Sequence, residues 1–108
     1  VHKFPTLEDV RCKYGVVILD AEDRVIEFEE KPEIPKSSVA ATAIYLLRQE
    51  DLKYVSNLYH SHHSGELNAG CIIRELLMKG VIIHSFDFTS WYDIGTQEDL
   101  AKARKYFA

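Results

Sequence analysis

One acidic residue, Asp93, lies in a segment whose neighbours could hold it at a binding site. The segment W-Y-D-I-G-T, residues 91–96, stands between an apolar run and a helical run. That order predicts a strand, a tight turn at Gly95 and a helix capped by Thr96. Carboxylates at strand-to-helix turns of open α/β sheets often face ligands. A carboxylate that is only solvated or structural fits the same pattern, so the segment alone leaves both interpretations open.

A second candidate is the adjacent acid–base pair Glu30-Lys31, at the end of the return strand of a predicted hairpin. Alternation along this strand predicts that Ile26, Phe28 and Glu30 share one face. Pro32 is expected to hold Lys31 extended, because the residue before a proline avoids the helical region. A fixed charge pair beside an apolar face could bind a ligand. Composition alone favours the other interpretation, in which these are two solvated charges at a strand end.

Small residues in the middle of a third apolar segment leave space beside the backbone. Residues 37–47 are apolar on both faces, which predicts an interior strand of a covered sheet. Thr42 and Ala43 lie in its small-residue centre. The space there could admit a ligand, or it could admit a packed helix.

Three histidines, His60, His62 and His63, lie in a polar stretch at residues 60–66. Imidazole is the commonest side-chain metal ligand. The stretch lacks the spacing of zinc motifs, and serines separate the histidines from other ligand types. We therefore expect a solvated loop here and no functional metal.

Hydrophobic periodicity predicts the elements that must position these candidates. In chain order they are a hairpin (14–19 and 24–30), the interior strand (37–47), a helix (49–59), a helix capped by Asn68 and ended by Gly80, a strand (81–88) and a last helix (97–107). Helical spacing predicts buried stripes at Leu52/Val55/Tyr59, Ile72/Ile73/Leu76/Leu77 and Leu100/Ala103/Phe107. Strands mixed with helices, including a β–α–β crossover, indicate an α/β fold with a mixed sheet and flanking helices.

Composition limits the classes of function. The chain has 108 residues, of which 46% are hydrophobic, and a net charge of −4 without a run of Lys or Arg. A nucleic-acid groove is therefore not expected. No apolar stretch reaches the length of a membrane span, so no membrane partner is expected. Two isolated cysteines fit reduced thiols, and we expect a cytoplasmic protein.

Four motifs in a fixed order carry a resemblance to a known family. The chain resembles the sugar nucleotidyltransferases, or nucleoside-diphosphate-sugar pyrophosphorylases, such as the glucose-1-phosphate thymidylyltransferases and mannose-1-phosphate guanylyltransferases. The matching motifs are the Y-G-V-V hairpin (14–28), Glu30-Lys31-Pro32 followed by Pro35-Lys36-Ser37, the A-x-x-I-Y-L strand (41–46) and W-x-D-I-G-T with its helix (91–100).

The resemblance covers the later part of that family's catalytic domain. The G-T-R-L loop that cradles the nucleotide phosphates is absent from the sequence, as is the first metal-binding Asp. Residues 1–108 are therefore expected to form a single partial domain, a Rossmann-like fold without its N-terminal nucleotide-binding half. Ala43 stands where a Gly is usual beside the sugar, and this departure bears on sugar specificity.

The resemblance also implies a reaction and roles for the candidates. An oxygen of a sugar 1-phosphate would attack the α-phosphorus of a nucleoside triphosphate, giving an NDP-sugar and pyrophosphate. Lys31 would hold the sugar phosphate, and Glu30 would accept hydrogen bonds from the sugar, with Thr42 and Ala43 beside it. Asp93 would hold Mg²⁺ against the phosphates.

Two further expectations follow from a partial domain. The chain alone should be inactive, and an unpaired strand edge should make it a homo-oligomer. The alternative is a non-catalytic interaction or regulatory module that reuses this half-fold. Such a module would be expected to lose Glu30, Lys31 or Asp93, yet all three are present.

Overall fold

The computed structural model describes residues 1–61 and 67–108. Within these residues the chain forms an α/β fold of four short strands and three α-helices, so the predicted class is confirmed. The strands are β1 (His2–Lys3), β2 (Gly15–Leu19), β3 (Val25–Glu30) and β4 (Val39–Ala40); after the 3₁₀ turn Gln49–Asp51 come the helices α1 (Leu52–Ser61), α2 (Gly70–Met78) and α3 (Gln97–Phe107).

The strands form one sheet in the order β1-β4-β2-β3. Every pairing among the described residues is antiparallel, where the sequence predicted a mixed sheet. β2 and β3 are joined as a hairpin, and β4 pairs with the other side of β2, Val16 lying opposite Ala40. β2 is therefore an inner strand of the sheet.

The predicted hairpin is confirmed, but one side chain lies on the opposite face from the one expected. The pairing of β2 with β3 is irregular between Ile18 and Leu19, and Ile26 is the extra residue on β3. Such a bulge reverses the alternation of side chains beyond it. Val25 and Phe28 are consequently buried together, whereas Ile26 is 57% exposed.

The predicted interior strand at residues 37–47 is much shorter than expected. Only Val39–Ala40 is paired as a strand. Ala43 has a φ of 57°, in the left-handed region, which ends the extended conformation. Beyond it Ile44 and Leu46 are 61% and 89% exposed.

The predicted strand at residues 81–88 is also wrong as a continuous element. The segment first lies along the edge of β3, where Val25 N–H donates to the Ile83 carbonyl at 2.8 Å. It then moves to the start of the chain, where the Val1 amino group donates to the Phe86 carbonyl at 2.7 Å. Because its partner changes midway, the segment forms only an isolated bridge.

The core lies on both faces of β2. On one face Val17 packs with Val25, Phe28 and Ile73 of α2. On the other face Val16 packs with Val10 and Ala40. Among the helices of the described residues, none combines the length and the hydrophobicity that a membrane span requires.

Local hydrogen bonds define both ends of α2, as predicted. Asn68 Oδ1 accepts from Cys71 N–H at 3.2 Å, which caps the first turn. At the other end Gly80 has a φ of 72°, and its N–H donates to the Leu77 carbonyl, while Val81 N–H donates to that of Leu76. This is a Schellman motif with glycine at C′. Of the predicted stripe, Ile73 and Leu76 are buried and Ile72 and Leu77 are half-buried.

The other two helices pack less than predicted. On α1, Leu52 and Tyr59 are 49% and 69% exposed. On α3, Ala103 is buried but Phe107 is 71% exposed. The predicted loop at residues 60–66 begins later than expected, because His60 and Ser61 belong to α1. The rest of that loop, with His62 and His63, lies outside the described residues.

Candidate functional site

Asp93 lies in the irregular segment between residue 88 and α3, and its side chain shapes the turn there. Its Oδ1 accepts from Gly95 N–H at 3.1 Å. Gly95 does not have a positive φ, so the turn at this position does not need the conformational freedom of glycine that the sequence predicted. The predicted Thr96 cap is confirmed, because Thr96 Oγ1 accepts from Asp99 N–H at 3.1 Å.

Asp93 faces a cleft of about 710 Å³ with an aromatic wall. The wall is built from Phe4, Tyr14 and Trp91, together with His2. Tyr14 lies 5.4 Å from both Phe4 and Trp91, measured between ring centroids. The charged residues that line the cleft with Asp93 are Asp9, Lys13, Glu98, Asp99 and Lys102.

The cleft perturbs the phenol of Tyr14. Burial raises the pKa of Tyr14, and the carboxylates of Asp99 and Asp93 raise it further, while Lys102 opposes them. Each acidic neighbour disfavours the phenolate. The Tyr14 hydroxyl therefore stays protonated at neutral pH and can donate a hydrogen bond within the cleft.

Lys31 follows β3 directly and is exposed. Its φ is 42°, so the extended conformation predicted from Pro32 is wrong. Two hydrogen bonds flank this turn: Lys31 N–H donates to the Tyr14 carbonyl at 3.2 Å, and Cys12 N–H donates to the Pro32 carbonyl at 3.0 Å. These two hydrogen bonds outweigh the preference of a residue before proline for the extended conformation. Among the described residues no carboxylate lies within ion-pair distance of Lys31 Nζ.

Glu30 ends β3 opposite Gly15 and is half-buried. Its carboxylate lies beside two glycines, Gly15 and Gly70. Burial raises the pKa of the nearby Tyr45, and the charge of Glu30 raises it further. As predicted, Glu30 points to the same side of the sheet as Phe28.

Thr42 and Ala43 follow β4 at the same end of the sheet. Ala41 N–H donates to the Gly15 carbonyl at 2.8 Å, which holds this segment against β2. Thr42 is only 9% exposed, and its Oγ1 has no hydrogen-bond partner among the described residues. Buried hydroxyls are rarely left unpaired in folded proteins.

Tyr14 and Gly15 connect these candidate segments. Their carbonyls bind Lys31 on one side and Ala41 on the other, and the Tyr14 ring contacts Trp91 in the wall of the Asp93 cleft. Of the candidate residues, only Asp93 is among the described residues that line this cleft. Glu30, Lys31, Thr42 and Ala43 form a second group, at the end of the sheet where β3 and β4 finish, and the ligand roles of both groups stay predictions.

The donor set around Asp93 limits which metal could bind. Within residues 1–61 and 67–108, no group of three or more His, Cys, Asp or Glu side chains could hold a metal ion. A site of the zinc type is therefore not formed by these residues. The exposed carboxylate of Asp93 suits Mg²⁺, which takes one or two carboxylates and completes its octahedron with water and phosphate oxygens.

The sequence did not reveal the aromatic wall. Tyr14 and Trp91 were each recognised only as part of a local motif, and they are far apart in the chain. Asp99 and Lys102 of α3 also line the cleft, and the sequence motifs indicated no such position for them. Helical spacing within α3 was an available signal, since Asp99 and Lys102 are three residues apart and are therefore neighbours on the helix surface.

Comparison with known families agrees with the motif order. The family model described as nucleotidyl transferase matches residues 3–108, which is nearly the whole chain. The match includes both candidate groups, the one at the end of the sheet and the one around Asp93. The chain therefore belongs to the nucleotidyl transferase family.

Proposed function

We propose that this chain is the sugar-phosphate and second-metal half of a nucleotidyltransferase that joins a sugar 1-phosphate to a nucleoside triphosphate. The strongest support comes from two backbone hydrogen bonds at Tyr14 and Gly15. The Tyr14 carbonyl accepts from Lys31 N–H and the Gly15 carbonyl accepts from Ala41 N–H, so the two candidate substrate segments share one end of the sheet. The products are an NDP-sugar and pyrophosphate.

The chemical types of the side chains at the sheet end suit a phosphorylated polyol. Lys31 is an exposed cation that can pair with the phosphate. Glu30 can accept hydrogen bonds from sugar hydroxyls. Thr42 lies beside these residues with its hydroxyl buried and bound by none of the described residues, and the exposed Ala43 bounds the space beside the ring.

Asp93 fits the role of a magnesium ligand. Its Oδ1 accepts one hydrogen bond from Gly95, which orients the carboxylate in the cleft. When bound, Mg²⁺ would neutralise charge on the phosphates. The Tyr14 hydroxyl, kept protonated by burial and by Asp99, can donate to an oxygen in the same cleft.

The reaction needs positioning and charge neutralisation and no covalent enzyme intermediate. A phosphate oxygen of the sugar 1-phosphate forms a bond to the α-phosphorus of the triphosphate. The bond from the α-phosphorus to the bridging oxygen breaks, and pyrophosphate leaves with the electron pair. Lys31 would hold the attacking phosphate in line for this displacement.

The isolated chain is expected to bind sugar 1-phosphate without turning it over, because the sequence contains no G-T-R-L phosphate loop. Binding of hexose 1-phosphates in Mg²⁺ buffer can be measured by calorimetry or NMR titration. Lys31→Met should weaken binding about ten- to a hundredfold, the value of one charge-assisted contact. Lys79→Met is the matched control, because Lys79 lies at the far end of α2.

Pyrophosphate release should be measured in parallel with a panel of nucleoside triphosphates. No release by the isolated chain, together with binding that depends on Lys31, supports the proposal. Turnover by the chain alone would contradict the assignment to half of a catalytic domain. Equal affinity of wild type and Lys31→Met would show that the sugar phosphate binds elsewhere.

A further inference from the structure

Gly70, the first residue of α2, lies against the side chains of Phe28 and Glu30. A Cβ added at Gly70 would overlap the Phe28 ring and would lie 2.9 Å from Glu30 Oε2. Real Cβ atoms do not approach oxygen or carbon atoms this closely. A hydrogen at this position is therefore what allows both side chains to lie against the helix.

Gly15, the first residue of β2, also lies close to the side chains of Phe28 and Glu30. A Cβ there would lie 2.7 Å from the Phe28 ring and 3.6 Å from Glu30 Oε2. Arg74, one turn along α2, covers the Phe28 ring at 5.2 Å from its centroid. The Phe28 ring is thus enclosed, and the Glu30 carboxylate is held between two stretches of bare backbone.

We propose that Gly70 is a positioning residue for Glu30, and that the first turn of α2 sets how this carboxylate meets a sugar hydroxyl. The inference rests on the proposed function, in which Glu30 binds the sugar. A larger residue at position 70 shifts the carboxylate, which lies at the end of a flexible side chain. Such a shift costs little stability but moves the acceptor away from its hydroxyl.

Simple packing is the competing explanation, because the Phe28 ring alone would demand a glycine. The double variant Gly70→Ala/Phe28→Leu separates the two. Leucine removes the ring that the new methyl group would overlap. The close contact between that methyl group and Glu30 Oε2 is unchanged. If only the ring matters, the double variant should bind sugar phosphate as Phe28→Leu does.

The test measures hexose 1-phosphate affinity and unfolding in urea for wild type, both single variants and the double variant. We expect the double variant to regain stability relative to Gly70→Ala and to bind roughly three- to tenfold more weakly than Phe28→Leu. Gly80→Ala is the control, because it strains the other end of α2, where φ is 72°, and should leave affinity unchanged. Equal affinity of Phe28→Leu and the double variant overturns the inference.

Crystal structures of Phe28→Leu and the double variant provide a second measurement that does not depend on ligand. A Glu30 carboxylate displaced from the first turn of α2 in the double variant supports the positioning role. A carboxylate that stays in place overturns it. If the wild-type chain binds no hexose 1-phosphate, the proposed function fails, and this displacement alone decides the inference about Gly70.

Discussion

Asp93 and Lys31 each contribute one charge to the proposed reaction, and removing them should cause different defects. In the complete enzyme, Asp93→Asn keeps the side-chain shape, including an oxygen for Gly95, but loses the charge that offsets Mg²⁺. Turnover should fall about ten- to a hundredfold, and higher Mg²⁺ should partly restore it. Lys31→Met should also raise the KM for sugar phosphate, and Mg²⁺ should not restore it.

Steady-state kinetics over a range of Mg²⁺ concentrations distinguish these two defects. Asp87→Asn, an exposed acid outside the residues that line the Asp93 cleft, is the control and should behave as wild type. Wild-type kinetics in both Asp93→Asn and Lys31→Met would show that the active site lies elsewhere in the fold.

The geometry of the cleft can be tested through Tyr14 without any ligand. Burial and the carboxylates of Asp99 and Asp93 raise the pKa of Tyr14. The folded state therefore holds this proton more tightly than the unfolded state, and stability is lost as pH rises above the ordinary tyrosine pKa of about 10. Asp99→Asn should lower the pKa of Tyr14 in an NMR titration, whereas Asp87→Asn should not change it. An unchanged value in Asp99→Asn would mean that the phenol does not face α3.

At the scale of the element, the stability of α3 depends more on its N-cap than on its packing against the rest of the chain. Ala103 is its buried residue, and Thr96 caps it through Asp99. Thr96→Ala should cost about 1 kcal/mol. Hydrogen exchange should become faster in α3 and stay slow in β2 and β3, because poorly packed elements open locally. Thr89→Ala is the control, and equal acceleration across the whole chain would contradict this local opening.

At the scale of the whole molecule, the chain exposes much apolar surface. Its radius of gyration is 14.9 Å, against about 13 Å for a compact chain of this length. Ile44 and Leu46, in the segment that leaves the sheet after β4, are 61% and 89% exposed. We expect this segment to pair with a second copy, giving a dimer or larger oligomer.

Light scattering after size-exclusion chromatography measures this association. Ile44→Lys/Leu46→Lys should shift the chain towards monomer, because charged side chains oppose association through this exposed apolar segment. Met78→Lys is the control, since Met78 is 81% exposed but lies on α2. A wild-type monomer at high concentration would contradict the expected oligomer.

Several features were determined by the sequence itself because a few neighbouring residues form them. The Asn68 and Thr96 caps and the Schellman turn at Gly80 need hydrogen bonds that span no more than five residues. The β2–β3 hairpin is similarly local. The order of the Glu30-Lys31-Pro32 and W-x-D-I-G-T motifs was enough to indicate the family, which the match over residues 3–108 confirms.

Other features depended on partners far away in the chain. The segments 37–47 and 81–88 have strand-like composition, but each forms a strand or a bridge only where another backbone pairs with it. The bulge at Ile26 depends on the register against β2. The φ of Lys31 depends on the hydrogen bond that its N–H donates to Tyr14 and on the one that the Pro32 carbonyl accepts from Cys12. The aromatic wall beside Asp93 and the approach of Gly70 to Glu30 likewise join distant residues. Local periodicity reports which face a residue prefers, whereas backbone pairing and side-chain contact between distant segments are decided only when the chain folds.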